Sequence, residues 1–159
     1  MKLTSLFLML LTAALLLTGC RTHKPVALAY EIVPVDYRLS NENAAPGFYL
    51  MRSMNDMDKL IAALGLEPVS HEYDYSVYFG EYDLLLIYGG QKATSGYKIE
   101  ALEVRGSKKS LRVIAELQSP KSGCLLAQMI TYPMQLIAIP KTKSGINEAY
   151  ELCNREVGC

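Results

Sequence analysis

The sequence has no tryptophan, two histidines, three phenylalanines and no net charge at pH 7. Nucleic-acid binding needs clustered basic charge, so a neutral chain without such clusters argues against nucleic acid as a partner. The scarcity of histidine argues against a metal centre, because closed sites need about four ligands. His71 stands beside Glu72 and near Asp74, but the second histidine, His23, belongs to the N-terminal segment. No metal site is therefore predicted.

Patterns typical of catalytic sites are also missing. The spacing of Cys124 and His71 does not indicate a nucleophile with its base. The glycines of residues 89–96 are followed by Lys98, but the Gly-Lys-Ser/Thr ending and the helix of a phosphate-binding loop are absent. We therefore predict that the protein is not an enzyme, with no catalytic residue, no small-molecule substrate and no dissociable cofactor.

What the sequence does contain begins with a signal peptide over residues 1–19. An almost wholly apolar stretch, residues 3–17, closes with Leu17-Thr18-Gly19-Cys20. The stretch is shorter than the ~20 residues that cross a bilayer and ends in small residues, as secretory signals do. Its ending resembles a bacterial lipobox, which implies cleavage before Cys20, a lipid on the Cys20 sulfur, and acylation of the new amino terminus by a fatty acid such as palmitate. The alternative is an ordinary secretory signal followed by a chance cysteine.

A lipid on Cys20 would hold the mature protein at a membrane. One acyl chain gives marginal binding, at ~0.8 kcal/mol per buried CH₂, whereas two signals hold a protein stably. Arg21 stands where the familiar retention signal has aspartate, which by analogy with other lipoproteins favours the outer membrane. We expect a cell-envelope lipoprotein facing the periplasm or the cell surface, with residues 20–25 as the lipidated N-terminus and tether.

The apolar pattern of the mature chain predicts mostly strands. Residues 82–88 form a nearly continuous apolar run stopped by paired glycines, which predicts a central strand buried on both faces. Residues 98–104 and 111–118 predict a hairpin, and a slip in alternation between Ala101 and Leu102 predicts a bulge. Further strands are expected within residues 26–35, 48–51, 125–131 and 134–139.

Helical patterns are fewer. An apolar stripe between a capping Ser53 and a terminating Gly65 predicts one helix, and residues 146–157 are weakly helical. With about seven short strands and one packed helix, we predict a mainly β (α+β) fold, an antiparallel β-sandwich or open barrel. Residues 26–69 would pack on a β domain formed by residues 70–141, and residues 142–159 would form a tail.

Three cysteines remain once Cys20 is lipidated. In an oxidising compartment a disulfide is expected, but Cys124, Cys153 and Cys159 cannot all pair internally. Chain entropy ranks the options: a link from Cys124 to either tail cysteine gives roughly 3–4 kcal/mol, against roughly 2.4 kcal/mol for Cys153 with Cys159. The leftover thiol is free or bonds a partner.

The order of these segments resembles the PrcB C-terminal domain family over residues 70–141. The resemblance lies in Gly89 after the central strand, Thr94-Ser95-Gly96-Tyr97 in the loop, Ser119-Pro120 after the hairpin, and Gln128 with Thr131-Tyr132-Pro133 before the last strand. Members of the PrcB C-terminal family are small secreted domains, and the family is named for a lipoprotein subunit of a spirochaete surface protease complex. The Thr94–Tyr97 segment also resembles, more faintly, the inhibitory loop of chagasin-type peptidase inhibitors. Both resemblances imply association with other proteins rather than catalysis.

We therefore predict a lipid-anchored, non-catalytic module that binds another envelope protein, such as a protease, as subunit, assembly factor or modulator. Its candidate contact is the loop of residues 91–97, where Tyr97 would fill a partner pocket and Gly96 would let the backbones approach. The alternative is a structural envelope lipoprotein without a protease link, joined to another chain through Cys153 or Cys159. The predicted contact residues are Gln91, Thr94, Ser95, Gly96 and Tyr97.

Overall fold

The computed structural model describes residues 26–39, 44–70, 73–107 and 109–159. The predicted signal peptide, Cys20 and its tether, and both histidines lie outside the described residues. Ten strands, one α-helix and one 3-10 helix occupy the described parts. In chain order they are β1 (Val26–Ala27), β2 (Glu31–Val33), β3 (Tyr37–Leu39), β4 (Gly47–Met51), α1 (Met54–Leu64), β5 (Leu66–Pro68), a 3-10 helix (Tyr75–Tyr78), β6 (Tyr82–Tyr88), β7 (Lys98–Gly106), β8 (Ser110–Pro120), β9 (Met134–Pro140) and β10 (Asn147–Val157).

Two four-stranded sheets pack face to face. One sheet has the order β1-β7-β8-β10 and the other β2-β9-β6-β4, while β3 and β5 pair separately. β6 runs through the middle, and its alternate side chains enter two different cores, which confirms the predicted strand buried on both faces. Leu85 and Ile87 pack between the two large sheets. Leu84, Leu86 and Tyr88 pack against α1 and the small sheet. The predicted mainly β sandwich with one packed helix is therefore confirmed.

The helix begins and ends where its caps predict. The Ser53 side chain accepts a hydrogen bond from the Asp56 N–H at 3.2 Å, and Gly65 closes the helix in the left-handed conformation at φ 61°. Met57 and Leu64 are buried, whereas Met54 at the start of the apolar stripe is 39% exposed. Both signals are local in sequence, so neighbouring residues suffice to define the helix.

The hairpin also forms as predicted. β7 and β8 pair antiparallel, with a register shift between Ala101 and Glu103 that confirms the bulge. Leu111, Val113, Ala115 and Leu117 are all buried, because alternate residues of β8 face the second sheet.

Two predictions about later segments were wrong. Residues 146–157 are not helical: Asn147–Val157 form β10, which pairs in parallel with the whole of β8, so the sandwich is not purely antiparallel. Alternation puts Tyr150 and Leu152 on the core side, and this period-two pattern outweighs the weak helical one. Residues 125–131 are not a strand either: within them the structure has one isolated bridge, from Thr131 to Lys92.

One carboxylate is fully buried near the start of β6. Asp83 accepts hydrogen bonds from the Thr142 N–H and Oγ1, at 2.8 and 2.6 Å, and its second oxygen lies 3.7 Å from the Lys141 Nζ. Buried charges are stable only when they are paired and hydrogen-bonded, so these contacts fix the chain after β9 against β6.

Candidate functional site

The predicted contact loop leaves the end of β6 through two closely packed glycines. A Cβ on Gly89 would lie 2.9 Å from the Ile99 side chain, and Gly90 adopts φ +81°. Gly96 has φ +91°, and a Cβ there would lie 3.1 Å from Leu126. Only glycine adopts these angles readily and leaves this space, so the path of residues 91–97 (the 91–97 loop) requires glycine at these positions.

That loop is bonded to a second one, residues 121–133 (the 121–133 loop). Lys92 and Thr131 exchange two backbone hydrogen bonds of 2.9 Å each, and the Thr131 hydroxyl donates to the Thr94 carbonyl at 2.8 Å. The Ser95 N–H donates to the Ala127 carbonyl at 3.0 Å, and the Ser95 Oγ accepts from the Ala127 N–H at 3.1 Å. The two loops therefore form one unit at one end of the sandwich.

The predicted contact residues differ in how freely they face solvent. Gln91 and Gly96 are exposed, while Thr94, Ser95 and Tyr97 are partly buried. The Tyr97 ring lies 5.5 Å from the Lys92 ammonium, within cation–π range. Tyr97 also lines a shallow groove of ≈ 380 Å³ with residues of β2 and β9.

A disulfide fixes the second loop at its base. Of the pairings that the sequence leaves open, the structure contains Cys124–Cys159, with the two Cα atoms 5.6 Å apart. The Lys121 N–H also donates to the Val157 carbonyl at 3.0 Å. The end of β10 is thus joined to the start of the 121–133 loop.

Sequence reasoning missed the apolar side chains that this second loop exposes. Leu125 is 103% exposed, Met129 55% and Ile130 51%. The run Leu-Leu-Ala-Gln-Met-Ile suggests a buried strand, but its hydrophobicity has no period of two and it lies between Gly123 and Pro133. Those two features are the signals that indicate a loop.

Cys153 is the free cysteine of the described residues. Partial burial, together with the carboxylates of Glu151 and Glu116, raises the pKa of its thiol. A raised pKa keeps the thiol protonated at neutral pH and slows its reactions as a nucleophile.

Cys124 is consumed in the disulfide, and no cluster of three or more His, Cys, Asp or Glu side chains capable of holding a metal occurs among the described residues. Nor does any helix of the described ranges have the length and apolar character needed to cross a membrane. His71 and Glu72 lie outside the described residues.

The described residues form a β-sandwich domain with the two bonded loops at one end. Residues 84–140, which run from β6 through both loops to β9, match the PrcB C-terminal family. The match supports the resemblance seen in the sequence, and it contains every predicted contact residue. Neither the curated proteins nor the solved structures give a match.

Proposed function

We propose that the protein is a lipid-anchored, non-catalytic subunit, assembly factor or modulator of an envelope protease complex. The observation that carries this proposal is the family match over residues 84–140, because the family is named for a subunit of a protease complex. Within that segment the 91–97 loop is bonded in place and partly exposed. A loop with a fixed path loses little conformational entropy on binding, which favours a recognition role.

Val26, where the described chain begins, and the two loops lie at opposite ends of the sandwich. Val26, the first described residue, pairs with Gly106 at the end of β7, whereas the 91–97 loop enters the start of β7 at Lys98. At about 3.3 Å per residue, the strand separates these ends by roughly 27 Å. A lipid on Cys20, six residues before Val26, would leave the loop end directed away from the outer membrane.

The decisive experiment is chemical crosslinking in intact membranes with a Gly96→Glu variant. The new side chain would be forced against Leu126 at the centre of the loop pair, so capture of the partner should be lost. Gly145→Glu is the matched control, because Gly145 also has a positive φ, +75°, but no atom lies within 4 Å of its added Cβ.

Folding of both variants is checked by circular dichroism and thermal melting. Tyr97→Ala, which leaves the backbone unstrained, provides a second readout if Gly96→Glu unfolds the loop pair. Equal capture of the partner by wild type, Gly96→Glu and Tyr97→Ala would show that the 91–97 loop does not contact the partner.

A structural envelope lipoprotein linked through a cysteine is the second candidate. The free Cys153 favours it, whereas Cys159 is committed to the internal disulfide. Electrophoresis without reductant separates the two proposals: a covalent species that disappears in Cys153→Ser supports the structural role, and a monomer supports the binding module.

A further inference from the structure

The 121–133 loop carries a concentration of exposed apolar side chains. In the other described parts of the chain, large exposed apolar side chains such as Val77 and Leu102 are spread along the sequence, and no three of them fall within six residues. Single exposed apolar residues are ordinary on protein surfaces. Three within six residues of one loop, Leu125, Met129 and Ile130, indicate a surface that a partner covers.

The loop is held in a form suited to docking. It is fixed by the Cys124–Cys159 disulfide at its start and by its backbone bonds to the 91–97 loop at Ala127 and Thr131. Leu126 lies beneath the pair, against Gly96. The exposed side chains are therefore presented on a constrained backbone, and little ordering remains for a partner to impose.

The charged residues of the two loops and of the residues beside them along the chain have one sign, although Glu156 of β10 lies opposite Ser119 at the same end of the sandwich. Residues 89–98 and 119–133 contain Lys92, Lys98 and Lys121 and no aspartate or glutamate. Lys98 approaches Glu100 at 3.6 Å, whereas Lys92 and Lys121 form no ion pair with any described residue. A partner that complements this end would surround an apolar recess with carboxylates.

A bilayer is the competing occupant, because apolar loops flanked by lysine can insert into anionic membranes. Insertion of the loop end would place Val26 roughly 27 Å above the surface, even before the depth of the loops is added. The six residues from Cys20 to Val26 can extend over about 22 Å at most. A lipid on Cys20 would therefore oppose insertion of the loop end into the membrane that holds the protein.

From these observations we infer that the 121–133 loop and the 91–97 loop form one docking surface for a protein that presents an apolar recess bordered by carboxylates. This inference rests on the proposed lipid anchor and extends the contact from one loop to two. Met129 and Leu125 would enter the recess, and Lys92 and Lys121 would face its acidic border.

Site-specific photocrosslinking of the full chain in living cells tests this inference. Benzoylphenylalanine replaces Leu125, Met129 or Gln91 in separate variants, and replaces Val77 or Leu102 as controls that are 71% and 51% exposed. We expect one and the same protein adduct from Leu125, Met129 and Gln91 and none from the two controls.

A charge-reversal pair tests the chemistry of the partner. Lys92→Glu with Lys121→Glu should lower the adduct yield from Met129 at least about fivefold through like-charge repulsion. Lys109→Glu with Lys143→Glu, the same change near the Val26 end, should leave the yield unchanged. Equal adduct yields from the two double variants would show that the partner does not present carboxylates to Lys92 and Lys121.

Other adducts would overturn the inference in distinguishable ways. An adduct with the mass of a phospholipid identifies a bilayer as the occupant, and an adduct between differently tagged copies identifies a second copy of the chain. Adducts from Gln91 without adducts from Leu125 and Met129 would be consistent with the proposed function, but would show that the 121–133 loop is not part of the docking surface. Equal adducts from Val77 and Leu102 would show that the surface is not specific.

Discussion

Ser95 and Gln91 stand close together in the candidate loop, yet the structure gives them different roles. The Ser95 hydroxyl oxygen is used within the protein, where it accepts a hydrogen bond from the Ala127 N–H, while Gln91 is exposed. The sequence could not separate them, because the partner of Ser95 lies 32 residues further along the chain. Sequence motifs therefore located the 91–97 loop but could not distinguish residues that shape it from residues that face outward.

Cys153 gives a residue-scale prediction about pH. Burial and the nearby Glu151 and Glu116 carboxylates raise its thiol pKa, so less thiolate is present at a given pH than for an ordinary cysteine. We expect alkylation by iodoacetamide, followed by mass spectrometry with the disulfide intact, to be slow at pH 8 and still rising above pH 9. Removing the charge with Glu151→Gln should speed the reaction at pH 8.

The matched control is Glu156→Gln, which removes an exposed carboxylate from the same strand. It should leave the rate unchanged. A profile that reaches its plateau below pH 9 would contradict the assigned environment of Cys153.

Helices and strands that are defined by residues close together in the sequence were predicted better than those that depend on pairing with a distant segment. α1 follows from Ser53 and Gly65, which bracket it, and β6 follows from an unbroken apolar run. β10 forms by pairing in parallel with β8, whose paired residues lie 37 positions earlier in the chain. The sequence of residues 147–157 alone does not indicate that β8 is the partner strand. The exposed 121–133 loop was missed for the opposite reason, because its apolar residues suggested burial that does not occur.

The disulfide gives a prediction at the same scale. Cys124–Cys159 closes a segment with a sequence separation of 35, for which the chain-entropy relation gives roughly 3–4 kcal/mol of stabilisation. Cys124→Ser should lower the free energy of unfolding by about that amount in urea denaturation, and should speed proteolytic cleavage within the 121–133 loop. Cys153→Ser, at the free cysteine, should change neither.

A Cys124→Ser variant as stable as wild type would contradict the disulfide's assigned role. Loss of stability without faster cleavage of the loop would contradict the claim that the bond constrains the 121–133 loop.

The whole molecule is a sandwich with two distinct ends. Val26 begins the described chain at one end, beside Gly106, and the two bonded loops occupy the other, where β7 starts and β8 and β10 finish. The family match includes both loops and the strands that join the two ends, while the proposed membrane attachment lies beyond Val26. The proposed lipid at Cys20 would hold the protein at a membrane surface with the two bonded loops facing outward.

Metabolic labelling with a fatty acid therefore tests the account most directly. Cells expressing the full chain, Cys20→Ala or Cys153→Ala are grown with labelled palmitate, and label on the purified protein is measured. We predict label on wild type and on Cys153→Ala, and none on Cys20→Ala. Unlabelled wild type, or equal label on Cys20→Ala, would contradict the anchor and with it the orientation of the docking end.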